Sequence, residues 1–133
     1  EGGTPNVAGA VGLAAAAAFI DQTGRARIDA QVHTLRAQAA AGLARLPGVT
    51  VLSARTGASA IVSFVAEGVH PYDIGTLLDE QGIAVRTGHH CAQPLLHHLG
   101  LGPTTRASFA LYNTTADVER LLAAVSHALK VLR

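Results

Sequence analysis

The chain has 133 residues, of which 49% are hydrophobic and 14% charged, and its formal net charge is +1. That length supports one hydrophobic core without staples, and the composition is that of a globular rather than a disordered chain. The near balance of charge, with no Lys/Arg cluster, leaves no nucleic-acid footprint, and the lone cysteine excludes an internal disulfide framework and fits a reducing compartment.

The sequence opens at Glu1 and contains no methionine, so it is expected to be a piece of a longer protein. No secretory signal series is visible. Thr4-Pro5-Asn6 prepares a helix reaching about Ile20, with a stop near Thr23-Gly24. Its apolar run from Val7 to Ile20 is about 14 residues, short of the ~20 that cross a bilayer, so a buried helix is expected. A second helix follows from about Arg25 to Leu46. Ile28, Val32, Leu35, Ala39, Leu43 and Leu46 recur at three- and four-residue spacing and form one buried stripe, and Pro47-Gly48 ends it.

Two strands are predicted next, Val49–Leu52 and Ala60–Val65, joined through Arg55-Thr56-Gly57. A helix over Pro71–Gln81 places Ile74, Leu77 and Leu78 on one face, and Gly82 stands where a helix end calls for a left-handed residue. A strand over Ile83–Arg86 leads into a loop. Pro94 suits the first turn of a short helix through Leu99, and Gly100–Pro103 is loop. A strand over Arg106–Leu111 precedes the last helix. There Thr114 and Asp117 can form a capping box, with Val118, Leu121, Leu122, Val125 and Leu129 inward. This order of elements predicts an α+β fold, a small mixed or antiparallel sheet packed with helices, in one domain over residues 1–133. Residues 1–46 read as a helical lead-in.

The chemistry concentrates in Arg86-Thr87-Gly88-His89-His90-Cys91-Ala92-Gln93-Pro94. An arginine and two histidines stand within five residues of the thiol, the electropositive type of setting in which a cysteine becomes a nucleophile. The residues alone leave a second reading open, a buried and inert small side chain. His97 and His98 nearby raise the question of a metal, but the spacing fits no familiar zinc pattern and no metal site is expected. His33, His70 and His127 lie on or beside helices and read as structural.

That stretch resembles the catalytic-cysteine loop of the Suf-type (group II) cysteine desulfurases, members of the class V aminotransferase family that depend on pyridoxal 5′-phosphate (PLP). The likeness extends to Thr105-Arg106-Ala107-Ser108, to Leu111-Tyr112-Asn113-Thr114 and to Gly3-Thr4-Pro5-Asn6, in order along nearly the whole chain. It implies the C-terminal small domain of a fold-type I PLP-dependent transferase, with the larger PLP domain upstream. Carried over residue by residue, it makes Cys91 the catalytic sulfur acceptor and Arg106 the ligand of the substrate α-carboxylate. Arg86 and His90 become substrate-binding residues. Thr4, with Gly3, becomes a contact to the PLP phosphate of a neighbouring subunit; Gly2 stands where family members often carry Ala or Pro. The implied activity converts L-cysteine to L-alanine with a persulfide on Cys91, as a sulfur source for iron–sulfur cluster assembly. The implied setting is a cytoplasmic homodimer that passes sulfur to a Suf-type acceptor, without nucleic acid or membrane.

One part of such a site is missing from these residues. PLP binds its enzyme through a lysine Schiff base, which the family carries in a Ser-x-His-Lys motif. The only lysine here is Lys130, four residues from the end and outside every motif above. The chain alone is therefore expected to be inactive. Alternative readings are selenocysteine lyase activity, another class V aminotransferase, or a non-catalytic interaction module that binds a sulfur-acceptor protein.

Overall fold

The computed structural model describes residues 2–52 and 60–133; the expected Arg55–Gly57 connection lies outside them. Helix α1 (Val7–Thr23) starts where the Asn6 side chain accepts the Gly9 N–H at 2.9 Å, satisfying one of the free amides of a helix start. It stops at Gly24, whose φ of 89° is open to glycine at little cost. Helix α2 (Arg25–Leu43) begins at once, bent 79° from α1. Among the described residues no single helix is long and apolar enough to cross a membrane.

The expected stripe of α2 buries Leu35, Ala39 and Leu43. The helix ends three residues before Leu46, where its ladder tightens into i to i+3 bonds, the Arg45 N–H to the Gly42 carbonyl at 3.2 Å and the Leu46 N–H to the Leu43 carbonyl at 3.0 Å. The expected buried helix α1 is corrected: none of its residues is buried, and Val7, Val11, Leu13, Phe19 and Ile20 are exposed. An apolar helix is buried only where other elements cover it, and in this chain the core gathers around α2 instead.

Strands β1 (Val49–Val51) and β2 (Ile61–Ala66) lie close to expectation. Helix α3 (Pro71–Asp79) starts at His70, whose Nδ1 accepts the Tyr72 N–H at 3.3 Å, so His70 is a cap. Two strands differ from their predicted positions. Ile83–Val85 is not a strand: Gly82 at φ 70° turns the chain back, the Ile83 N–H reaches the Leu78 carbonyl at 2.9 Å, and ladder pairing begins only at β3 (Arg86–Gly88). After the short helix α4 (Gln93–His98), β4 spans Thr104–Ser108 rather than Arg106–Leu111. It ends early because Asn113 folds the chain over, accepting the Ala110 N–H on its side chain at 2.9 Å and donating to the Ala110 carbonyl at 3.1 Å.

The four strands form one antiparallel sheet in the order β1-β2-β4-β3. Alternation along β2 buries Val62, Phe64 and Ala66, and the register puts Ala107 beside Val62 and Thr105 beside Phe64 on the same face. That face meets α2, α3 and helix α5 (Thr115–Leu132), which contributes Val118, Leu121, Val125 and Leu129. Helix α3 lies so close to β3 that a Cβ on Gly75 would come within 2.7 Å of Thr87 Cγ2. The other face carries Ser63, Arg106 and Arg86 in one row, and no helix of the core covers it.

The capping box of α5 forms as expected. The Thr114 Oγ1 accepts the Asp117 N–H at 3.4 Å, while Asp117 Oδ2 accepts the Thr114 N–H at 2.9 Å and its hydroxyl at 3.1 Å. The two bonds from Thr114 hold the Asp117 carboxyl below the usual carboxylate range. Its contribution is therefore present above the unfolded value and is lost as pH falls through the folded one. Thr114→Ala is expected to cost about 1 kcal/mol, read as a lowered urea midpoint with an unchanged slope.

Candidate active site

Strand β3 is an edge strand, and the chain leaves it through three positive backbone angles: Gly88 at φ 111°, His90 at 56° and Cys91 at 58°. The Ala92 N–H closes onto the His89 carbonyl at 2.9 Å, so His90 and Cys91 occupy the two central positions of a tight turn. Left-handed values at both positions are those of a type I′ turn, normally built from Gly, Asn or Asp. A residue with a Cβ is disfavoured there by about 1–2 kcal/mol. Helix α4 then locks the outgoing chain, with Pro94 in its first turn and Leu96 buried. The turn thus lifts Cys91 from a fixed base and leaves it exposed.

Arg86 donates from Nη2 toward the Cys91 Sγ at 3.6 Å. In the ladder Arg86 sits directly opposite Arg106, and like charges so placed repel. Neither arginine makes a salt bridge among the described residues, where Arg25–Asp21 is the sole ion pair. Arg106 Nε is buried without a hydrogen-bond partner. Two adjacent guanidinium groups and an orphaned donor on an uncovered sheet face make a setting suited to an anion such as a carboxylate.

His90 turns back toward the sheet. Its Nε2 lies 2.7 Å from Oγ1 of Thr104, a residue only 1% exposed, and its Nδ1 is buried with no partner. Burial lowers the His90 pKa from the ordinary 6.5, the Arg106 charge lowers it further, and Arg86 and His89 add to this against an opposing hydrogen bond to the Thr104 backbone. The unfolded chain therefore takes up a proton near pH 6.5 that the folded chain resists. Stability at this site is complete above 6.5 and declines as pH falls from there toward the folded value. We expect the His90 ring, followed by NMR, to titrate below the ordinary histidine value of 6.5.

Arg86, His90, Cys91 and Arg106 are thus brought together at one end of the sheet. Thr4 and Gly3 are not: they lie exposed ahead of α1, and no hydrogen bond among the described residues joins them to this group. Thr104 was absent from the residues singled out in the sequence. The available signal was strand alternation, since residues 104 and 106 share a face once β4 is begun at Thr104. His97 and His98 lie in the last turn of α4, and among the described residues no three His, Cys, Asp or Glu side chains converge to hold a metal ion.

Comparison with known proteins gives a consistent picture. The aminotransferase class-V family model matches residues 1–121. A probable cysteine desulfurase of Vibrio cholerae is 46% identical over 132 residues, covering 99% of this chain and 32% of the relative. Probable cysteine desulfurase 2 of Mycobacterium leprae is 47% identical, covering 97% of this chain and 31% of the relative. Among solved structures, the Escherichia coli cysteine desulfurase CsdA superposes with a TM-score of 0.91 at 44% identity, over 100% of this chain and 33% of that one. The apo cysteine desulfurase of Thermococcus onnurineus gives 0.92 at 41%, over 99% and 33%. The chain spans about one third of the length of these relatives.

Proposed function

Because the chain belongs to the aminotransferase class-V family, we propose that it is the sulfur-accepting and carboxylate-binding part of a Suf-type cysteine desulfurase. The observation that carries this reading is the exposed Cys91 thiol, held on a left-handed turn with Arg86 against its sulfur and Arg106, without an ion pair among the described residues, opposite Arg86 in the ladder. The relatives named as cysteine desulfurases, at 41–47% identity, support it.

In this reading Arg106 receives the α-carboxylate of L-cysteine through its paired N–H groups. Arg86 holds the Cys91 sulfur, and the thiolate attacks the substrate sulfur. The S–S bond forms as the substrate C–S bond breaks, and the carbon takes up a proton. The net change, L-cysteine and a Cys91 thiol to L-alanine and a Cys91 persulfide, balances with no outside oxidant. Sulfur suits both its acceptance and its onward transfer.

PLP in this family acts as an electron sink when bound. The residues present do not fit its covalent attachment. Lys130, the one lysine, is exposed on α5, in the layer that covers the face of the sheet opposite Arg106. Thr4 and Gly3 are proposed to meet only its phosphate, from a second subunit of a homodimer. The chain alone is accordingly inactive, and the cytoplasmic protein that carries it serves iron–sulfur cluster assembly by passing the persulfide to an acceptor protein. The test is alanine release and persulfide formation from L-cysteine by the longer protein and by the 133-residue chain loaded with PLP. Activity in the longer protein alone supports the reading. Activity in neither moves the chain to an interaction module.

A further inference from the structure

Two side-chain bonds join the Cys91 turn to the sheet: Arg86 reaches the Cys91 sulfur, and His90 reaches Thr104, a contact that the catalytic reading does not use. Upstream the chain is held by the β3–β4 ladder and downstream by α4; between Gly88 and Gln93 the Ala92–His89 turn bond fixes the backbone, Arg86 reaches the thiol itself, and the His90–Thr104 contact ties the turn to β4. We propose that Thr104 and His90 are a positioning pair: the Thr104 hydroxyl, buried at the start of β4, holds the His90 ring and so keeps the His90–Cys91 backbone left-handed with the thiol beside Arg86. This inference rests on the desulfurase reading; it adds Thr104 to it and gives His90, there a substrate-binding residue, a positioning role.

The chemistry of the ring assigns the bond. A neutral imidazole carries one N–H. With the proton on Nε2, it is donated to Thr104 Oγ1 over 2.7 Å and the bare lone pair of Nδ1 remains buried. The positive charges of Arg106 and Arg86 disfavour a second proton on the ring. The opposite tautomer would bury an Nδ1–H for which the described residues offer no acceptor. Strand alternation places Thr104 on the face of Arg106, so one strand sets both the place of the carboxylate and the height of the thiol above it.

Two measurements decide the matter. Imidazole nitrogen NMR of the 133-residue chain is expected to show His90 in the Nε2–H tautomer. A Nδ1–H tautomer overturns the pair. In the longer protein, Thr104→Val keeps the buried volume and removes the hydroxyl. It is expected to lower kcat for alanine release about 10²-fold with KM for L-cysteine unchanged, because Arg106 still binds the carboxylate. Thr104→Ser is expected to restore kcat to within about threefold of wild type. Full kcat in Thr104→Val, or no rescue by Thr104→Ser, overturns the proposal. A wild-type protein that releases no alanine would sink the desulfurase reading and leave the pair to the ring spectrum, which uses no activity.

Discussion

Cys91→Ser is expected to leave the longer protein folded and to lower persulfide formation by roughly 10³-fold or more, with alanine release falling alongside. The folded state has little to lose. Cys91 is exposed, its sulfur meets the guanidinium of the exposed Arg86, and surface substitutions of this kind usually fall within about 0.5 kcal/mol. The left-handed backbone is no worse for serine than for cysteine, since both carry a Cβ and a single γ atom. What changes is the nucleophile. A serine hydroxyl is weak without an adjacent base, and the imidazole of the preceding residue, His90, is engaged with Thr104. Oxygen is also poorly suited to accept sulfane sulfur and release it again. The measurement is paired: alanine released, and the mass of one sulfur atom added to the chain. Alanine release that survives the substitution would remove Cys91 as sulfur acceptor and favour the selenocysteine alternative.

The legible part of this molecule is the part with local causes. The α5 capping box and its inward residues depend on spacings of three and four within one helix, and they appear as read. Arg86, His90 and Cys91 lie within six consecutive positions, so a short motif brings them together whatever the strand boundaries. The errors came from causes outside the segment. Ile83–Val85 has the composition of a strand, yet the ladder begins at Arg86 because β4, about twenty residues on, sets the register. Thr104 went unnoticed for the same reason: its partner His90 is reached across the sheet rather than along the chain. The exposure of α1 is not legible in its sequence, because an apolar surface says that a helix needs a cover, not which element supplies it. The α+β class survived these shifts, since it depends on the order of elements and not on their ends.

Arg106→Ala carries the second large effect, and it separates function from fold. An arginine that stabilised the domain through an ion pair would leave the structure weaker when removed. Arg106 has no salt-bridge partner among the described residues, faces Arg86 across the ladder and leaves its Nε buried without an acceptor. Its removal relieves a like-charge contact, so the melting temperature of the chain is expected to hold or rise. The His90 pKa, freed of its largest charge neighbour, is expected to move up toward the ordinary histidine range while burial still holds it below. Activity should go the other way. A lost bidentate carboxylate contact costs about 2–5 kcal/mol, and kcat/KM for L-cysteine should fall by about 30-fold or more, much of it in KM. Arg106→Lys should recover little, because an ammonium offers a point charge where the carboxylate needs two parallel donors. A stable site of low activity in Arg106→Ala would show that the domain tolerates two adjacent guanidinium groups for the anion they bind. A large drop in melting temperature with kcat/KM preserved would make Arg106 a structural residue and leave the substrate carboxylate without a ligand in this chain.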